Sequence, residues 1–146
     1  MTARFEYLMI FLMFGATGLF FSGCEKEEGE GGRSSISGIL IEQEMTNALN
    51  NEVVREYPLV DERVYIIYGD STEVYDDDMR TDFEGRFKFR FLRKGTYTIF
   101  AYTECNQIYD EGCQDAGGTW AVKRTIELGK NEDVVLENIV VQNFPQ

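Results

Sequence analysis

The chain contains no histidine. General acid–base and nucleophilic catalysis most often recruit an imidazole, so the commonest hydrolytic and transfer chemistries lack their usual base. With only three cysteines besides, the chain holds too few ligands for a Cys/His zinc centre. Carboxylate pairs remain available, but among 26 acidic residues close pairs arise by chance. No catalytic residue, metal ligand or cofactor is therefore assigned, and the chain reads as a non-enzyme. Cations are scarce: 14 Lys and Arg against 26 Asp and Glu give a formal charge of −12. Such a balance repels nucleic acid and anionic headgroups and suits solubility or a cationic partner. Helical periodicity is scarce from Ser34 onward, and the one long uncharged apolar run is residues 7–23.

That run is short for a spanning helix and comfortable for the apolar region of a secretory signal. It ends abruptly, because the stretch LFFSGCEKEEGEGG changes from greasy to acidic at Cys24. Phe21-Ser22-Gly23-Cys24 resembles the lipobox of bacterial lipoproteins, with small residues just before the cysteine. The resemblance implies diacylglycerol transfer to the Cys24 thiol, cleavage before Cys24 and acylation of the new amine (a palmitate-type anchor). Two or three acyl chains hold a protein stably where one does not. An uncleaved anchor with an incidental cysteine is the competing reading.

Glu25 to Arg33 has no apolar side chain and reads as a solvated tether. Its acidic start, Cys24-Glu25-Lys26-Glu27-Glu28, resembles the signal that exports some lipoproteins to the outer face of the outer membrane. The plain alternative is a spacer. The expected organisation is a signal peptide over 1–23, a tether over 24–33 and one domain over 34–146. With Cys24 acylated, Cys105 and Cys113 remain, an even number in an oxidising compartment. They are expected to form a disulfide closing an insertion; two reduced thiols are the alternative.

From Ser34 the chain alternates with period two. Strands are expected at Ile36–Ile41, Val64–Tyr68, Met79–Thr81, Arg86–Phe91, Tyr97–Thr103, Trp120–Leu128 and Val134–Val141. Glu42 to Tyr57 reads as polar and irregular, with a short helical turn near Met45 to Asn50. Arg86-Phe87-Lys88-Phe89-Arg90-Phe91 predicts three phenylalanines on one face and three cations on the other. Gly129-Lys130-Asn131 is expected to join the last two strands as a turn. The expected fold is all-β, a Greek-key sandwich of about seven strands, transthyretin-like or immunoglobulin-like, preceded by the signal-peptide helix.

Thr81-Asp82-x-x-Gly85-x-Phe87-x-Phe89-x-x-Leu92-x-x-Gly95-x-Tyr97-x-Ile99-x-Ala101 resembles the carboxypeptidase regulatory-like domain, a transthyretin-like sandwich. Ile36-x-Gly38-x-Leu40 and Pro58-Leu59 before Val64 resemble its opening strands. The resemblance implies that Gly85 makes a hairpin turn, the alternating aromatics fill the core, and Gly95-x-Tyr97 starts the return strand. Such domains serve as spacers, docking modules and appendages, so function stays open. The fold also hosts a purine-pathway hydrolase, but that enzyme relies on histidines and a C-terminal Tyr-Arg-Gly-Ser. This chain ends Gln142-Asn143-Phe144-Pro145-Gln146, and a hydrolase is the least favoured reading.

Three surface features remain. Asp76-Asp77-Asp78 with Asp82 and Glu84 offers oxygen ligands for calcium, but its spacing is not that of an EF-hand, and a solvated loop is the plainer reading. Arg86, Lys88 and Arg90, with Arg93 and Lys94, form the one basic cluster, expected to pair with acids on neighbouring strands. Tyr102, Tyr109 and Trp120 flank or occupy the cysteine loop and are the candidate ligand-binding residues, though in so small a domain most aromatics make core. The leading function is a non-enzymatic structural or interaction module, lipid-anchored in the cell envelope through Cys24, with an envelope protein as partner. The alternative is a surface lipoprotein that binds glycan or peptide through loop aromatics.

Overall fold

The computed structural model describes residues 27–47, 49–70 and 74–144. Cys24 and the expected signal peptide lie outside them. The described residues form nine strands and no helix: β1 (Glu30–Met45), β2 (Val53–Pro58), β3 (Arg63–Tyr68), β4 (Asp77–Arg80), β5 (Arg86–Leu92), β6 (Gly95–Glu104), β7 (Thr119–Leu128), β8 (Asp133–Val135) and β9 (Ile139–Asn143). They make two sheets, a β-sandwich as expected. One sheet has the order β4-β3-β6-β7, antiparallel throughout. The other is built around β1, which pairs with β2 and β5 antiparallel and with β8 and β9 parallel. Leu40 donates its N–H to the Gly85 carbonyl and accepts from the Leu59 N–H. Both groups of one residue point to one edge of a strand, so β5 and β2 lie end to end along the same edge of β1. β8 and β9 share the other edge.

Two strands exceed the expected seven. β2 is exposed along its whole length, so no inward stripe marks it; it is held by the far half of a β1 that runs to Met45 rather than stopping at Ile41. The expected last strand is split, since the register along β1 slips by one residue between Val135 and Ile139. Its expected pairing with β7 is also not observed. β7 lies in one sheet and β8 in the other, and the 129–132 connection crosses between them. Ser34 ties that crossing down: its Oγ donates to the Gly129 carbonyl (2.8 Å) and accepts the Glu132 N–H (3.0 Å). In place of a helix between Met45 and Asn50 there is a turn, closed by Asn51 N–H to the Asn47 carbonyl.

Alternation explains the core. Ile36 and Leu40 of β1, Val64 and Ile66 of β3, Phe87 and Phe89 of β5 and Tyr97, Ile99 and Ala101 of β6 face inward and are buried together. Gly38 belongs to this packing: a Cβ there would stand 2.7 Å from Phe87 Cζ, so the ring needs the bare backbone. Gly85 is required by its turn, at φ +71° and with the Leu40 carbonyl 2.7 Å from any added Cβ. Phe91 departs from the expected face. The register shifts between Ser34 and Ile36 opposite this end of β5, and Phe91 takes φ +60°. This bulge turns Phe91 outward, 69% exposed, and seats Leu92 in the core instead.

The expected tether is shorter than residues 24–33, because Glu30 to Arg33 belong to β1. The anchoring group is Tyr97. Its buried hydroxyl accepts the Gly29 N–H (2.9 Å) and donates to the Arg93 carbonyl (2.9 Å), while the Arg93 N–H bonds the Gly29 carbonyl. Tyr97→Phe keeps the ring and strands those two backbone groups. A loss of about 1–3 kcal/mol in urea-unfolding free energy is expected, with earlier proteolysis ahead of Arg33. An unchanged midpoint would show that the N-terminal entry is held by β1 pairing alone.

Candidate functional site

β4, β3, β6 and β7 turn one face to the core and the other to solvent, and the solvent face carries an aromatic cluster. One row crosses all four strands: Asp78 opposite Tyr65, Tyr65 opposite Phe100, Phe100 opposite Lys123. Tyr65 and Phe100 stack, with centroids 5.0 Å apart and planes at 16°. Tyr102 stands edge-on to both, 5.6 Å from Tyr65 and 5.7 Å from Phe100. Tyr75, in the β3–β4 connection, lies 4.7 Å from Tyr65. Among the described residues, that connection is held by Tyr68 N–H to Asp76 Oδ2 (2.7 Å), Asp76 N–H to the Ile66 carbonyl (2.9 Å) and Gly69 N–H to the Thr96 carbonyl (2.8 Å).

The cluster is half sunk. Phe100 is buried beneath its neighbours, while Tyr102 is 56% and Tyr75 42% exposed. Burial pushes the Tyr65 hydroxyl above its ordinary pKa. Tyr68, at the edge of the core, is pushed up to about 12, by burial first and then by the charges of Asp77, Glu30 and Asp76. Both hydroxyls therefore remain neutral donors at any physiological pH. Around the rings stand the ion pair Arg63–Asp78 (2.9 Å), the Lys123 ammonium 6.0 Å from the Phe100 centroid, and the hydroxyls of Thr98 and Thr125, 3.0 Å apart. Such a surface can bury apolar area at its centre and satisfy polar groups at its rim.

Of the three aromatics expected to act together, only Tyr102 is in this cluster. Tyr109 sits in the cysteine loop and donates its hydroxyl to the Leu49 carbonyl (3.1 Å). Trp120 is opposite Thr103 on β7, and Thr103 faces the core side, so the indole looks away from Tyr102. Adjacency to the loop in sequence misleads here, since successive strand residues point to opposite faces. Sequence reasoning does not single out Tyr65 or Tyr75. For Phe100 and Tyr102 a signal exists, because both fall on the phase of β6 opposite Tyr97, Ile99 and Ala101. Tyr75 has none.

The acidic triplet serves three separate ends. Asp76 receives the Tyr68 N–H, Asp77 the Asp78 N–H and Asp78 pairs with Arg63. Among the described residues no three acidic or cysteine side chains gather as a metal site. Among the described residues, Arg86, Lys88 and Arg90 form no ion pair across strands. Arg86 pairs with Glu84 of the preceding turn, and Lys88 lies opposite Ser37. Cys105 and Cys113 do form a disulfide, with Cα atoms 5.8 Å apart, between β6 and β7.

No family model and no curated protein sequence matches the chain. Among solved structures it is similar to a candidate carbohydrate-binding protein from Pseudomonas aeruginosa, at 16% identity and a TM-score of 0.42, over 75% of this chain and 90% of that one. It is also similar to an (S)-allantoin synthase, at 13% identity and a TM-score of 0.36, over 75% of this chain but only 42% of the enzyme. At such scores neither likeness bears on what this chain does.

Proposed function

We propose that the protein is a lipid-anchored, non-enzymatic binding module of the bacterial cell envelope. In this reading Cys24 carries the acyl groups at the outer membrane, and the mature part is a carboxypeptidase regulatory-like, transthyretin-like sandwich. The outer face of the four-stranded sheet is its recognition surface. One observation carries that assignment: Tyr75 and Tyr102 stay exposed over a stacked Tyr65–Phe100 pair although the inner face already holds a full core. A folded domain gains nothing in solubility from such a patch, and tyrosines at the centre of a surface with a charged rim are characteristic of protein interfaces.

An envelope protein is the favoured partner. The rings stand at 58° to 90° to one another around the stacked pair, which makes a notch for side chains rather than a flat shelf for a run of sugar rings. A saccharide is the second reading, supported by the Thr98 and Thr125 hydroxyls beside the rings. A photo-crosslinking residue at Tyr102 is expected to capture one discrete envelope protein in intact cells, and one at Val135, on the other sheet, is not. Against a partner so identified, Tyr102→Ala should weaken binding by about 2 kcal/mol, roughly thirty-fold in Kd. Capture from both positions alike would remove the assignment. Capture of polysaccharide alone would favour the second reading.

A further inference from the structure

We infer that the opposite, β5-bearing face is a membrane-contact surface, seated on the phospholipid leaflet that holds the anchor. The inference rests on the acylation of Cys24 proposed above. Its structural basis is the outward side of β5. Arg86, Lys88, Arg90 and Phe91 are all exposed there, and neither Lys88 nor Arg90 pairs with a carboxylate among the described residues. Lys88 shares its row with Ser37 and Val135, and Val135 is 78% exposed. Arg86, Lys88, Arg90 and Val135 rim one open concavity, and cations beside an exposed aromatic and an aliphatic side chain suit a phosphate-bearing interface.

Phe91 is the least expected residue of the set. It holds φ +60°, a conformation costly for an aromatic, and it exposes the ring. Glycine or asparagine would make the bulge without either penalty. Phe91 also stands close to where the chain leaves the domain. Arg93 bonds the Gly29 carbonyl through its N–H and the Glu27 carbonyl through Nη1 (3.1 Å). From Glu27 to Cys24 the chain reaches at most about 11 Å. The domain is therefore held against the leaflet, and this face is the cationic one beside the exit. The net charge of −12 argues against anionic lipid for the chain as a whole, but charges beyond about 8 Å are screened at physiological salt. Acidic side chains of the four-stranded sheet, such as Asp77 and Glu127, then count for little; on this face Glu84 is paired with Arg86 and Asp133 accepts the Ser35 hydroxyl.

The test uses the mature protein in vesicles of phosphatidylcholine with phosphatidylglycerol. Its lysines are labelled with an amine-acetylating reagent, and the label at each lysine is read by mass spectrometry beside the intact mass. Lys88 is expected to label several-fold more slowly on vesicles than in solution after the lipid has been stripped, while Lys123, on the aromatic face, labels at the same rate in both. In a Phe91→Trp, Trp120→Phe variant, the single tryptophan should be quenched by brominated acyl chains. Neutralising Arg86, Lys88 and Arg90 to glutamine should reduce that quenching. Equal labelling of Lys88 and Lys123 on an acylated protein overturns the inference and leaves the anchor intact. A mass without acyl groups overturns the anchor, and this inference with it.

Discussion

Phe87→Ala is expected to cost about 3–5 kcal/mol of unfolding free energy, a large share of the roughly 5–15 kcal/mol that holds a domain together. Phe87 is 2% exposed. Its ring covers the bare backbone of Gly38 and meets Phe89 with centroids 6.2 Å apart. Truncation removes both contacts and leaves a cavity that cannot collapse, because β1 is pinned by partners on both edges. Urea unfolding of Phe87→Ala beside Phe91→Ala reads the effect. Phe91 is exposed, so its truncation should stay within about 0.5 kcal/mol. Equal losses at both positions would restore the three-phenylalanine face and remove the bulge. An unchanged midpoint for Phe87→Ala would invert the phase of β5 altogether.

Replacing both Cys105 and Cys113 by serine is expected to cost about 2–3 kcal/mol, from the entropy of a loop of about nine residues in the chain-entropy model. The segment they close has little apolar area to hold it. Its own fastenings are polar: Asn106 Oδ1 accepts the Ile108 N–H (2.9 Å), Asp110 Oδ2 accepts the Asn106 N–H (2.7 Å), and Gly118 bridges Cys105 and Cys113 through its two backbone groups. Both cysteines are buried, so serine hydroxyls there would also need partners. Freshly purified, unreduced protein should show no alkylatable thiol at either position. A double-serine variant with the native urea midpoint would mean that these hydrogen bonds suffice. Tyr109 gives a local readout, since its bond to the Leu49 carbonyl ties the loop to the 46–51 turn and should loosen with it.

Local pattern determines much of this molecule. Arg86 to Phe89 alternates in the sequence as in the fold, because a strand's side chains change face at every residue whatever lies next to it. The inward Tyr97, Ile99 and Ala101, the outward Phe100 and Tyr102, and the pairing of Cys105 with Cys113 are legible for the same kind of reason. Each depends on neighbours in the chain or on a count, and the lack of histidine narrows the chemistry by composition alone.

Partners distant in the chain decide the rest. β2 has no buried stripe, so only the reach of β1 to Met45 makes it a strand. Phe91 faces out because the register of β1 against β5 shifts between Ser34 and Ile36, a mismatch that neither strand's sequence displays alone. Tyr65 meets Phe100 because β3 pairs with β6, and Tyr75 joins them because Asp76 folds the preceding connection back onto β3. Alternation tells which side of a strand a residue occupies, but not which strand lies beside it. Strand order is set by burying the two inner faces against each other, and from that packing, not from any local pattern, the aromatic face is assembled.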